Sequence, residues 1–223
     1  MDINDIPKNQ KVIKPWGSEY KIYSNSVSST KLLRLNHNKS TSLHCHPIKK
    51  TGFVLIKGEV NVDLGFYDTK KLSPMSKLMI RPGLFHRTKN LNKETATILE
   101  IETPINKDDL VRFKDNYGRE NKPYEDKKSM VKLDNNDPIF NEPELNSENK
   151  YLVDGIDIRI NKTNDLNQLL KSKKNSIIAV LDGGFKSEDN QLVLSPGDIV
   201  RLETIKKLAE AFKIQKYITY LAI

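Results

Sequence analysis

Between residues 20 and 104 apolar and polar side chains change over in short runs: "TKLLRLN", "TSLHCH", "GFVLIKGEVNVDL", "SKLMIRPG" and "ATILEIETP". Each is rich in Val, Ile, Leu or Thr and has strand length, without the three-to-four spacing of an amphipathic helix. Gly58, Pro74-Met75 and Pro82-Gly83 punctuate them, as tight turns require. Closely spaced strands of this kind predict a sandwich or small barrel. Residues 105–150 change character: "NKDDLVRFKDNYGRENKPYEDKKSM" and "NNDPIFNEPELNSENK" are polar, Pro-bearing and without regular apolar period, and predict a long connection.

The remainder reads as a decayed copy of the first half. "LLRLNHNKS" (32–40) resembles "DIRINKTND" (157–165), setting Arg34 against Arg159, and 24 residues on from each lies a glycine, Gly58 and Gly183, at the end of an apolar run. "KLSPMSKLMI" is echoed by "VLSPGDIVRL", and "TILEI" by "YITYLAI". Against the copy stand Ile205, Leu208, Ala209 and Phe212, which have helical spacing, and "LNQLL", which is compatible with a helix. The final "KYITYLAI" is strongly strand-prone and is expected to pair within a sheet, because a bare edge of that kind invites aggregation.

Chemistry concentrates in "LHCHPIKKTGFVLIKG" (43–58), where two of the four histidines flank the single cysteine. Side chains two apart on a strand point the same way, so His44 and His46 can share a metal while Cys45 faces away. A third donor is available in "RPGLFHRTKN", where a Pro-Gly turn leads into His86. Neutral imidazoles suit Zn, Fe, Ni, Cu and Mn alike, and three of them leave positions open for water or substrate. If the two halves align, Leu169, Lys171 and about Lys207 stand where the histidines stand. The second half is then a structural or interface unit without metal.

In this order the two histidine segments resemble the paired motifs of the cupin family, HxHxxxxExxxxxxG and PxGxxHxxxN. His44, His46 and Gly58 fill the first, with Thr51 where the motif has Glu. Gly83, His86 and Asn90 fill the second, with the proline shifted to Pro82. "KPWGSEY" (14–20) and "DDLVRFKDNYGRE" (108–120) are similar to the segments bracketing the cupin domain of type II mannose-6-phosphate isomerases, including the bifunctional isomerase–guanylyltransferases. The resemblance covers about residues 12–120 and excludes any nucleotidyltransferase portion.

The resemblance implies an all-β fold with a cupin barrel (double-stranded β-helix or jelly roll) over 1–120; the internal echo adds, after a linker over 121–150, a smaller degenerate cupin-like unit over 151–223 that the family's usual layout lacks, making the chain a bicupin. It implies a metal-dependent aldose–ketose isomerase acting on a phosphorylated or activated sugar. His44, His46 and His86 would hold one divalent transition metal, zinc first, with iron, manganese or nickel as alternatives. Glu102 or Glu100 would be the base, and Lys14 and Arg112 the phosphate contacts. Losing the motif Glu at Thr51 weakens and broadens metal binding unless Glu19, Glu100 or Glu102 substitutes. Trp16 is either a substrate platform or an edge-packing side chain. Arg112 and Arg119 either hold phosphate or tie the exit segment to the barrel. Two rival readings are a three-histidine iron cupin dioxygenase, which "KPWG" and "VRFKDNYGR" argue against, and a non-catalytic sugar-binding bicupin.

Charge changes little. The net charge is +8, but only seven of the 37 basic residues are Arg and the lysines are scattered among Asn and Ile. Nucleic-acid readers concentrate basic groups on one face, so no nucleic-acid partner is expected. A mild positive field still favours a phosphorylated small molecule. The polar start "MDINDIPKNQ", the lack of a spanning apolar run and the single cysteine predict a cytoplasmic protein without a membrane partner, with the second half available as a homo-oligomer interface.

Overall fold

The computed structural model describes residues 9–106, 108–119 and 127–223. In chain order the first strands are β1 (Gln10–Lys14), β2 (Gly17–Ser24), β3 (Ser29–Leu35), β4 (Lys39–Ser40), β5 (Leu43–Cys45) and β6 (Lys50–Lys57). They are followed by β7 (Val60–Leu64), β8 (Asp68–Leu72), β9 (Lys77–Ile80), β10 (His86–Asn90), β11 (Ala96–Thr103), β12 (Val111–Lys114) and β13 (Met130–Lys132). The second half carries β14 (Ser147–Val153), β15 (Ile156–Thr163), α1 (Leu166–Leu170), β16 (Ile177–Lys186), β17 (Leu192–Leu194), β18 (Ile199–Arg201), α2 (Leu202–Ala209) and β19 (Lys213–Ala222).

Three antiparallel sheets result. The first has the order β13-β1-β2-β3-β11-β6-β9, the second β12-β5-β10-β7-β8 with β4 on β10, and the third β14-β15-β19-β16-β17 with β18 on β16. The first two face each other across a core that includes Trp16, Leu33, Leu35, Phe53, Leu55, Val62 and Ile98, forming the double-stranded β-helix. The outer face of the first sheet packs on the third through Tyr20, Ile22, Leu32, Val54, Leu99 and Ile101 against Ile158, Ile160, Ala179, Ile199 and Leu221. The far side of the third sheet is closed by α1 and α2 over Ile178, Val180, Ile218 and Tyr220.

This layering explains the sequence pattern. Strands β6 and β11 lie in the middle of the molecule and are buried on both faces, so "GFVLI" and "ATILEI" are continuous rather than alternating runs. Gly58 turns the chain out of β6 at φ +82, and a Cβ there would meet the Ala96 backbone at 3.0 Å, which accounts for the motif glycine. Gly52 admits the Ile199 side chain, whose Cδ1 would lie 2.4 Å from an added Cβ. The polar stretch after residue 105 supplies two edge strands, β12 on β5 and β13 on β1; edges need little apolar content. Among the described residues no helix is long and apolar enough to cross a membrane.

The second half repeats half of a barrel. Its order β14-β15-β19-β16-β18 matches β2-β3-β11-β6-β9, while α1 and α2 replace the counterpart of the second sheet. The gapless alignment needs one correction. Val54 and Leu32 both pair with Leu99, and Ala179 and Ile160 both pair with Leu221. Ala179 therefore matches Val54 as the sequence echo requires, but Ile160 matches Leu32, three residues off. Arg159 is the counterpart of Lys31, not of Arg34. An odd slip moves every side chain to the other face of a strand, and the echo would have put Ile158, which faces the shared core, in register with Leu33 of the barrel interior.

Candidate metal centre

The second sheet brings the histidines together. His44 on β5 pairs directly with His86 at the start of β10, and His46 follows two residues after His44, just beyond the strand end. Ring centroids lie 4.5 Å apart for His44–His86, 5.2 Å for His44–His46 and 5.7 Å for His46–His86. One nitrogen from each ring falls within 4.8 Å of the others. The fourth histidine, His37, lies apart at 2.5 Å from the Asn92 carbonyl.

Each Nδ1 faces a backbone carbonyl: Ser42 at 2.9 Å for His44, Leu84 at 3.0 Å for His86, and Asp109 for His46. A carbonyl accepts only, so all three rings carry the proton on Nδ1 and leave Nε2 bare, the arrangement that orients metal-binding imidazoles. Burial, followed by the neighbouring rings of His86 and His46, holds His44 well below the ordinary imidazole range. Burial lowers His46 against the pull of Glu102, and takes His86 down to about 4. The Nε2 of His86 is buried with no hydrogen-bond partner among the described residues. Three neutral nitrogen donors, one of them orphaned, fit a divalent transition ion.

Asp109 sets His46. Besides its carbonyl, its carboxylate accepts from the amides of Ile48 at 2.9 Å and Lys49 at 2.7 Å, locking the turn after the histidine pair. This gives a physical reason for the exit segment "DDLVRF" beside the motif. Cys45 is buried on β5, paired with Val111 of β12, and burial pushes its thiol up; it is not among the converging donors.

Facing the histidines, the first sheet presents a charged wall. Thr51 shares the interior face of β6 with Phe53 and Leu55, is 1% exposed, and pairs directly with Glu102 of β11. Glu102 Oε1 lies 3.7 Å from His46 Nε2 and 3.5 Å from Lys49 Nζ, while Oε2 meets Lys31 Nζ at 2.8 Å. The carboxylate missing at Thr51 thus stands on the adjacent strand. Burial would raise Glu102, but Lys31, Lys49 and His46 outweigh it and hold the carboxyl well below its usual range. Glu100 is pushed up to about 7 by burial, with Glu102 and Glu19 reinforcing the rise against Lys31. Glu19 pairs with Lys14 at 3.1 Å.

These groups line one cavity of about 90 Å³ with Trp16, Phe53, Arg112 and Arg119. Trp16 belongs to the core and to the cavity wall at once. Arg112 donates to Ser42 Oγ at 3.2 Å and to the Arg119 carbonyl at 2.7 Å, while Arg119 pairs with Asp115 at 2.7 Å. Arg112 therefore ties the exit segment to the barrel, Arg119 braces that segment internally, and both line the cavity. Lys31, Lys49 and Asp109 escaped the sequence reading. Lys31 had a signal: it shares the period-two face of Leu33 and Leu35, and a lone cation on such a face is buried for a reason.

Residues 2–115 match the family described as mannose-6-phosphate isomerase C-terminal. The xanthan biosynthesis protein XanB of Xanthomonas campestris pv. campestris is 27% identical over 113 residues, 50% of this chain and 24% of XanB. The chain therefore spans about a quarter of the length of the curated relatives it matches. A double-stranded β-helix protein of Klebsiella pneumoniae is 16% identical, with TM-score 0.40 over 44% of this chain and 85% of that one. A cupin sugar phosphate isomerase of Silicibacter pomeroyi is 15% identical, with TM-score 0.39 over 47% and 75%.

Proposed function

The chain belongs to the mannose-6-phosphate isomerase C-terminal family, and on that premise we propose that it isomerises a phosphorylated sugar between aldose and ketose in the first barrel. The observation that carries this reading is three neutral imidazoles opposite a buried carboxyl, Glu100, whose affinity for protons is raised to about 7. A group of that strength both takes and returns a proton near neutral pH. Glu100 would remove the proton from C2 and deliver it to C1, while the hydroxyl proton on O2 passes to O1, so that the C1 carbonyl becomes an alcohol and C2 becomes the carbonyl. His44, His46 and His86 would hold one divalent ion, zinc first. Bound there, such an ion supplies Lewis acidity towards substrate oxygens. Glu102, kept ionised by Lys31 and Lys49, keeps Glu100 protonatable and replaces the negative charge absent at Thr51. The phosphate would sit towards Arg112, Arg119 and Lys14, where bidentate guanidinium contacts suit it.

The test is turnover of mannose 6-phosphate and of a panel of hexose, pentose and heptose phosphates by zinc-loaded protein. Interconversion is expected, abolished by chelation and reduced by about 100-fold or more in Glu100→Gln. Absence of turnover across the panel, with sugar-phosphate binding that survives chelation, would make the barrel a binding module. Oxygen uptake with iron would make it an oxygenase.

A further inference from the structure

A second polar cavity, of about 240 Å³, opens on the helix-facing side of the third sheet, lined by Glu148, Arg159, Asn161, Lys171, Ser176 and Tyr220 among others. Its position is not arbitrary. Glu100 pairs with Lys31 and Phe53, and Ala222 pairs with Arg159 and Ile178, so Arg159 stands where Lys31 stands. Counting along the same strands sets Ser176 against Thr51 and Asn161 against Leu33. Glu148 faces Asn161 across β14 and β15 as Glu19 faces Leu33 across β2 and β3. Lys171, just past α1, occupies the place that the sequence echo gives to His46. The second cavity is therefore the topological counterpart of the histidine cavity, with the metal donors exchanged for cations and hydrogen-bonding groups.

Its polar groups are not all satisfied from within. Asn161 is 5% exposed and Ser176 8% exposed, yet neither side chain has a hydrogen-bond partner among the described residues. Leu, the residue at the matching barrel position, would present no such polar group at 161. Arg159 meets Glu148 only at 3.6 Å and is about two-thirds covered, so its guanidinium is held towards the cavity without a close bidentate partner. A fixed guanidinium and a lysine call for an anionic group. An unpaired amide, a serine hydroxyl, a carboxylate and the Tyr220 phenol call for a ligand that both donates and accepts, as hydroxyls do.

We infer that this cavity is a second ligand site, taking a small polyhydroxylated anion, a phosphorylated or carboxylated sugar, without a metal. The inference does not depend on catalysis in the first barrel, and its test reads the second half alone. Hydrogen–deuterium exchange of the full chain is followed in peptides spanning 157–176 and 213–222 during titration with mannose 6-phosphate, gluconate, mannose and inorganic phosphate. Saturable protection by mannose 6-phosphate, gluconate or both is expected, with the two arms separating a phosphate from a carboxylate, and none by mannose. Arg159→Met and Asn161→Leu should weaken that protection about tenfold or more. Lys171→Glu, on an exposed side chain that the fold does not need, should do the same. No protection of these peptides by either sugar anion would overturn the proposal. So would protection that Lys171→Glu and Arg159→Met leave unchanged, or that inorganic phosphate reproduces in full.

Discussion

Deleting residues 147–223 is expected to leave the first half unable to persist as a soluble, folded protein. That deletion removes the third sheet and bares the outer face of the first, where Tyr20, Ile22, Leu32, Val54, Ile56, Leu99 and Ile101 are each at most 2% exposed. At about 1.5–3 kcal/mol for each large apolar side chain returned to water, the loss is roughly 10–20 kcal/mol. A whole domain is stable by only about 5–15 kcal/mol, so the loss exceeds what the barrel has in reserve. A contiguous apolar sheet face of that size also drives association. Even removing residues 216–223 should suffice, because β19 is the strand joining β15 to β16 in the third sheet. Solubility, gel filtration and a thermal melt read the result. A monomeric 1–146 fragment with a cooperative melt near that of the full chain would contradict it.

Lys31→Met is expected to cost about 3–5 kcal/mol at neutral pH, the usual consequence of removing one partner from a buried charge cluster. Lys31 lies 2.8 Å from Glu102 and 3.7 Å from Glu100, and both carboxyls are nearly inaccessible. Without it, burial and mutual repulsion have less opposition, and both carboxyls bind protons more tightly than they do in the wild-type fold. A folded state that holds more protons loses stability as pH rises. Glu102, which Lys31 helps to hold well below the usual carboxylate range, carries its share of the deficit already at pH 4 to 5, and Glu100, pushed up to about 7 in the wild type, adds to it towards and beyond pH 7. Urea titrations of both proteins across that range check it. A deficit under about 1 kcal/mol at neutral pH, or one that grows towards acid, would show that Lys31 does not hold the pair.

Much of this was legible in the sequence, and the reasons differ by element. The barrel strands and the three histidines were readable because period-two runs, a Pro-Gly turn and fixed donor spacing are local properties. Glu19, Glu100 and Glu102 were readable as substitutes for the absent motif Glu, but the choice of Glu102 was not, because it depends on cross-strand register with Thr51. The surrounding groups were harder still: Lys49 reaches Glu102 from the turn after His46, and Asp109 meets His46 through its backbone carbonyl. The duplication was visible from β6 onwards through Gly183, while the three-residue slip at β15 was not, since an ungapped echo carries no information about which face a residue takes. The second cavity draws on β14, β15, β19 and the turn after α1, and no single stretch announces it.

The claim at the centre of the account is that His44, His46 and His86 act together on one ion. Its most direct test is the metal content of purified, zinc-reconstituted protein, measured by mass spectrometry for the wild type and for His46→Ala. His46 is held from outside the barrel core by the Asp109 carbonyl, and neither main apolar core of the first half includes it. Its loss should leave the fold intact at a cost of about 1–3 kcal/mol. About one ion per wild-type chain is expected, and no stoichiometric ion in a folded His46→Ala chain, since two imidazoles remain. Equal metal in both proteins, with matching circular dichroism, would contradict it.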